Sequence, residues 1–131
     1  MNRWKTSATS VFNLSYHIIW CPKYRRSVLS ETIANRMLEL LYEKAKKLKV
    51  KIVEANIVPN HVHLFVRAEP VHAPHFIVGQ LKGYTSRILR REFSELRSRL
   101  PTLWTRSYYI DSVGKLNEYT IRKYVQEQKN K

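Results

Sequence analysis

Pro59-Asn60-His61-Val62-His63-Leu64-Phe65-Val66 is the stretch on which the reading of this chain turns. A Pro-Asn turn signal opens it, and β-branched and aromatic residues follow, as in a strand that leaves a tight turn. Lys51 to Val58, just before the turn, is rich in Ile and Val, so the two runs read as a β-hairpin. Alternate residues of a strand face the same side. His61, His63 and Phe65 therefore share one face, and Val62, Leu64 and Val66 share the other. The two imidazoles stand ~6.5 Å apart along the strand, near enough to chelate one metal ion. An isolated His-x-His is more often plain strand than chelate, so the rest of the chain has to decide.

The totals narrow the partner class. A chain of 131 residues with 44% hydrophobic residues is one domain, 1–131, able to build a core. Against 10 Asp and Glu stand 24 Lys and Arg, a formal charge of +14. Such a surplus repels itself unless a polyanion offsets it, which makes nucleic acid the leading partner class. A membrane-surface protein would show a Lys-rich amphipathic segment or a lipidation signal, and the sequence has neither. Cys21 is the sole cysteine and has no partner for a disulfide, as expected in a reducing cytosol. No apolar run reaches transmembrane length, and Met1 to Ser10 lacks a signal-peptide core, so the expected location is cytoplasmic.

Phe12, Leu14, Tyr16, Ile18 and Trp20 alternate with Asn13, Ser15, His17 and Ile19, the period of a first strand. Pro22 ends it. Lys23-Tyr24-Arg25-Arg26 then forms a basic, aromatic-bearing loop suited to a phosphate backbone and to base stacking. Ser30 is placed to cap a helix with the stripe Ile33, Met37, Leu41, Ala45 and Leu48. After the hairpin, Pro70 to Pro74 is a connector; His72 and His75 read as loop residues outside any site. A second helix is expected from Pro74, with Ile77, Leu81, Tyr84 and Ile88, then Leu89, Phe93, Leu96 and Leu100, until Pro101 stops it. Its interior glycines, Gly79 and Gly83, cost ~1 kcal/mol each against alanine, so a close approach to the sheet or to a ligand is expected to repay them. Leu103 to Val113 reads as a fourth strand, ended by Gly114, and a last helix is expected from about Lys115.

Strand, helix, strand, strand, helix, strand is the α+β, ferredoxin-like split βαβ order: an antiparallel sheet with two helices on one face, here with an extra C-terminal helix. Val62, Leu64 and Val66 suit the helix-covered core, which leaves His61 and His63 on the open face. The last helix is free to lie there. It carries Tyr124 and Gln128 at i and i+4, with ~6 Å of rise between them. A phenol and an amide would then meet the histidine pair; equally, Ile121, Tyr124, Val125 and Gln128 form a stripe that packs on the sheet. Periodicity alone does not choose between the two.

Five stretches taken together resemble a known family. They are Tyr16-His17-Ile18-Ile19-Trp20 with Lys23-Tyr24-Arg25; Val58-Pro59-Asn60-His61-Val62-His63-Leu64; Leu81-Lys82-Gly83-Tyr84-Thr85-Ser86; Leu103-Trp104-Thr105-Arg106; and Tyr124-Val125-Gln126-Glu127-Gln128. In this order, over nearly the whole chain, they resemble the single-tyrosine HUH transposases, the TnpA-type enzymes of insertion sequences that move as single-stranded DNA. Asn60 stands where an acidic residue is common in relatives. The resemblance implies that His61, His63 and Gln128 hold a divalent metal, Mg or Mn, and that Tyr124, on the C-terminal helix, is the nucleophile. An ordinary tyrosine, with a pKa near ~10, needs such a metal-polarised phosphate to react at neutral pH. The implied activity is cleavage and rejoining of single-stranded DNA at hairpin-marked element ends through a 5′-phosphotyrosine. The family also implies a homodimer in which the Tyr helix of one subunit completes the His site of the other, with Gly114 as the hinge. Charge and placement nominate Lys23, Tyr24, Arg25, Arg26, Lys82, Arg87, Arg90 and Arg91 for DNA contact.

The alternative is a non-catalytic RNA- or single-stranded-DNA-binding module on the same fold, stacking bases on Phe65 and Tyr16. The Gly-aromatic signature of an RRM third strand is missing around His63. A two-histidine phosphoesterase would need a second His-x-Thr motif, and a structural zinc site would need more ligands than Cys21 adds.

Overall fold

A computed structural model describes residues 14–113 and 122–127. The elements are β1 (Leu14–Trp20), α1 (Glu31–Leu48), β2 (Val50–Val58), β3 (His61–Ala68), α2 (Pro74–Glu92), α3 (Ser94–Ser98) and β4 (Tyr109–Val113). Residues 122–127 form a further helical segment, α4. The strands make one antiparallel sheet in the order β2-β3-β1-β4, the expected ferredoxin-like arrangement.

One sheet face and the helix layer enclose the core. Tyr16, Ile18 and Trp20 of β1 and Val62, Leu64 and Val66 of β3 are buried there with Ile33, Met37 and Leu41 of α1 and Ile77, Leu81 and Ile88 of α2. Each fully buried large apolar side chain contributes ~1.5–3 kcal/mol, so this face is strongly specified. Ser30 caps α1 as expected, its Oγ accepting from the Ile33 N–H at 3.4 Å. The chain leaves α1 through Lys49, whose left-handed backbone (φ 59°) turns it straight into β2.

On β2 the pairing with β3 slips between Ile52 and Glu54. Val50 and Ile52 face the core before the slip, and Ala55 and Ile57 face it afterwards. The bulge thus turns Glu54, Asn56 and Val58 to the open face, opposite Phe65, His63 and His61 respectively.

Three expectations are corrected. The second helix does not run to Leu100: it stops at Glu92, Phe93 is extended (φ −121°, ψ 100°), and α3 begins afresh at Ser94. Arg97 reaches back to the carbonyls of Arg90 and Arg91 and so satisfies groups that a helix end leaves bare. The fourth strand is shorter than Leu103 to Val113. Residues 103–108 are a loop, because Leu103 and Trp104 turn into the core and Trp104 only bridges to Pro22. Gly79 and Gly83 make no close approach to the sheet, since a Cβ at either would meet no protein atom within 4 Å. Phe12 and the proposed hinge Gly114 lie outside the described residues.

Candidate active site

The open face carries the candidate site. His61 and His63 sit on it as expected, with ring centroids 4.7 Å apart. Asn60, at the hairpin turn, lies 2.7 Å from His61 Nδ1 through its side-chain oxygen. An amide oxygen only accepts, so the proton of His61 is on Nδ1, and Nε2 keeps the lone pair a metal requires.

His63 is 4% exposed, with Asn56 beside it on β2 and Ile19 beside it on β1. Burial, with His61 and His17 adding to it, pushes its pKa down to about 4, so the imidazole is neutral at physiological pH. His61 is lowered as well, first by burial and then by the Arg25 guanidinium. His17 stands diagonally across the β1–β3 ladder, its ring 5.6 Å from that of His63. Burial lowers its pKa, and Asp111, directly opposite on β4, works against that.

Tyr124 covers this cluster. Its ring centroid is 5.8 Å from that of His63 and 6.1 Å from that of His17, and the side chain is 43% exposed, so a substrate can reach it. Val125, fully buried, fixes the underside of α4. These are the histidines of the same chain. Of the C-terminal stripe, Val125 is buried and Tyr124 meets the histidines, while Ile121 and Gln128 lie outside the described residues.

His63 Nδ1, His17 Nε2 and Asn56 Nδ2 are buried without a hydrogen-bond partner among the described residues. Each unpaired buried group costs ~1–3 kcal/mol, so a polar cluster of this kind suits a site completed by a cation and a phosphate. Two neutral imidazoles, one with its tautomer fixed, are a donor set that a divalent ion accepts. No group of three or more His, Cys, Asp or Glu disposed around one metal position occurs among the described residues. Gln128, the expected third ligand, lies outside them.

The basic residues divide between two places. Lys23, Tyr24, Arg25 and Arg26 form a turn whose Tyr24 and Arg25 adopt positive φ (59° and 52°). The Leu29 N–H donates to the Pro59 carbonyl at 3.0 Å, tying this loop to the His hairpin. Tyr24 is 65% exposed. Arg87, Arg90 and Arg91 lie instead on α2, across the sheet from the histidines, where Arg87 covers the Tyr84 ring at 5.6 Å. Lys82 is half-buried, and its Nζ donates to the carbonyls of Thr105, Arg106 and Ser107 at 2.7, 3.4 and 3.3 Å. Its ammonium organises the loop before β4, which is what the Lys82, Thr85 and Trp104 motifs accomplish together, Trp104 Nε1 donating to Lys82 O and Thr85 Oγ1 at 3.1 Å. His17 and Asn56 border the histidine pair, and sequence reasoning leaves both out of the site.

A profile described as "Transposase IS200 like" matches residues 10–128. The chain belongs to the IS200-like transposase family. It is 33% identical over 123 residues to the ISDra2 transposase TnpA of Deinococcus radiodurans, covering 92% of this chain and 88% of that one. The transposase for insertion sequence element IS200 of Salmonella typhimurium is 31% identical over 126 residues, 95% of this chain and 82% of the other. A transposase structure from Deinococcus radiodurans superimposes with a TM-score of 0.73 at 30% identity, covering 89% of this transposase and 92% of that chain. A REP-associated tyrosine transposase bound to a REP hairpin shares the fold at a TM-score of 0.62 and 14% identity, over 86% of this chain and 62% of that one. No helix among the described residues is long and apolar enough to cross a membrane.

Proposed function

We propose that this transposase cleaves and rejoins single-stranded DNA at hairpin-marked ends, with Tyr124 as nucleophile and a divalent metal, Mg or Mn, as cofactor. The observation that carries the reading is the placement of an accessible phenol within 6 Å, centroid to centroid, of a buried neutral histidine in the His-x-His pair. The Tyr124 oxygen attacks the scissile phosphorus. A tyrosyl–phosphorus bond forms and the bond from phosphorus to the 3′ oxygen breaks; the phenolic proton passes to solvent, and the departing oxygen takes a proton from solvent to leave as a free 3′-OH. Attack on the same phosphorus by another 3′-OH reverses the step and rejoins strands without an external energy source.

His61, His63 and Gln128 would hold the metal, which supplies Lewis-acid polarisation of a non-bridging phosphate oxygen. Asn60 orients His61, and burial keeps His63 unprotonated. The loop Lys23–Arg26, tied to the His hairpin, would hold the strand near the site, with Tyr24 stacking on a base. Arg87, Arg90 and Arg91 would contact backbone on the far side of the molecule. The active form is a homodimer in which α4 of one subunit would take, at the histidines of the other, the seat it occupies over its own histidines in the single chain, with the same contacts to that subunit's sheet; an active preparation that sediments only as monomer contradicts that part.

Incubation with single-stranded hairpin DNA and Mn²⁺ tests the reading. A covalent protein–DNA adduct is expected, and His63→Ala should abolish it while hairpin binding survives, because the backbone contacts lie elsewhere. Undiminished cleavage by His63→Ala in magnesium would remove the metal from the account.

A further inference from the structure

The helix that bears Tyr124 is gripped by one carboxylate. Glu54 Oε2 accepts from Arg122 Nε at 2.9 Å and from Gln126 Nε2 at 2.9 Å. Glu54 lies on β2, the sheet edge opposite β4, so the chain, after leaving β4, is caught at the far side of the face it must cover. The residue is there only because of the bulge after Ile52; in unbroken register it would share the core face with Val50 and Ile52. Its side chain is 13% exposed, against 54% for Arg122, so the contact is sheltered at the sheet and open at the helix.

Helix geometry converts this contact into an orientation. At 3.6 residues per turn, Arg122 and Gln126 fall on one side of α4, and Tyr124 falls roughly 160–200° round the axis from them. Val125 lies between, on the buried underside. Holding Arg122 and Gln126 towards β2 therefore turns Tyr124 towards β1 and β3, where the His17 and His63 rings stand. Most of a helix's stability in a protein comes from tertiary packing, so the rotation of α4 depends on such contacts.

We propose that Glu54 is a positioning residue for the nucleophile: through Arg122 and Gln126 it sets the rotation of the helix that aims Tyr124 at the histidines. The proposal rests on the assignment of Tyr124 as nucleophile. Its test is charge reversal read by single-turnover adduct formation on hairpin DNA with Mn²⁺. Glu54→Arg and Arg122→Glu should each slow the step by about tenfold to a hundredfold, the cost of misplacing a reacting group, with KM for DNA unchanged. The double variant Glu54→Arg with Arg122→Glu restores an ion pair, and Gln126 can turn its amide to accept from the new guanidinium, so its rate should return to within a few-fold of the wild type. Arg122 is mostly exposed, so Arg122→Glu reads the contact even if Glu54→Arg melts the sheet. A wild-type rate in Arg122→Glu, or a folded double variant no faster than the single ones, overturns the proposal. Tyr124→Phe run alongside separates the two ideas, since an adduct that survives there defeats the nucleophile assignment itself.

Discussion

Burial holds the His63 imidazole unprotonated, and that has a consequence for stability. Its pKa of about 4 in the folded chain lies below the ordinary histidine value of 6.5. Between those two values the unfolded chain takes up a proton that the folded chain refuses, so stability should fall as pH drops from about 6.5 towards 4 and should change little above 6.5. Thermal melting without metal checks this: His63→Gln should lose less stability than the wild type over that interval, and parallel curves for the two proteins would contradict it. At this scale the sequence was partly readable. The i, i+2 spacing of His61 and His63 dictates a shared face on any strand, and the valines and leucine between them choose which face. His17 carries no such local signal, because it meets His63 only through the β1–β3 register, His17 opposite Phe65. Asn56 is hidden for a different reason. Strict alternation would have put it in the core with Val50 and Ile52, and a bulge invisible in the Ile- and Val-rich run reverses its face.

Elements whose apolar stripe agreed with their caps formed as their sequence dictates. Helix α1 has Ser30 at one end and a lysine-rich last turn at the other, and its stripe Ile33, Met37, Leu41, Ala45 and Leu48 is buried throughout. The second helix broke at Phe93 because the residues beyond it can repeat the apolar period from a new start, with Leu96 and Leu100 still reaching the core. Periodicity sees the stripe and not the kink. The fourth strand was over-read for a related reason: Trp104 has strand-like chemistry, but it serves as a core plug whose indole is pinned to α2. The exposed glycines of α2 give a direct test. With φ in the ordinary range and open space around its Cβ position, Gly83→Ala should stabilise the fold by about 1 kcal/mol, raising the melting temperature by a few degrees. An unchanged or lowered melting temperature would show that the helix needs glycine there for its own structure.

The whole molecule is a sheet with two unlike sides. Helices and an apolar core occupy one; histidines, an asparagine and a tyrosine-bearing helix occupy the other, and a charge of +14 surrounds both. Fold class and the identity of the chemical face follow from the hairpin at Pro59-Asn60 and from which of its alternating residues are apolar. What closes over that face was open in the sequence, because a stripe of Ile121, Tyr124, Val125 and Gln128 suits packing as well as chemistry. Contacts far apart in the chain, Glu54 with Arg122 and with Gln126, accompany the rotation that leaves Tyr124 beside the imidazoles and Val125 buried.

The chain has eight tyrosines, and a second one also borders the cluster: Tyr109, 52% exposed, has its ring 6.2 Å from that of His17. Asp111 holds the Tyr109 phenol above its usual pKa, so it gives up its proton less readily. The direct measurement is to digest the covalent adduct formed with single-stranded hairpin DNA and identify, by mass spectrometry, the tyrosine that carries the 5′-phosphonucleotide. The modification should lie on Tyr124, vanish in Tyr124→Phe, which keeps the ring and its packing, and persist in Tyr109→Phe and Tyr119→Phe. A nucleotide found on Tyr109 or Tyr119, or an adduct that survives in Tyr124→Phe, would contradict the account.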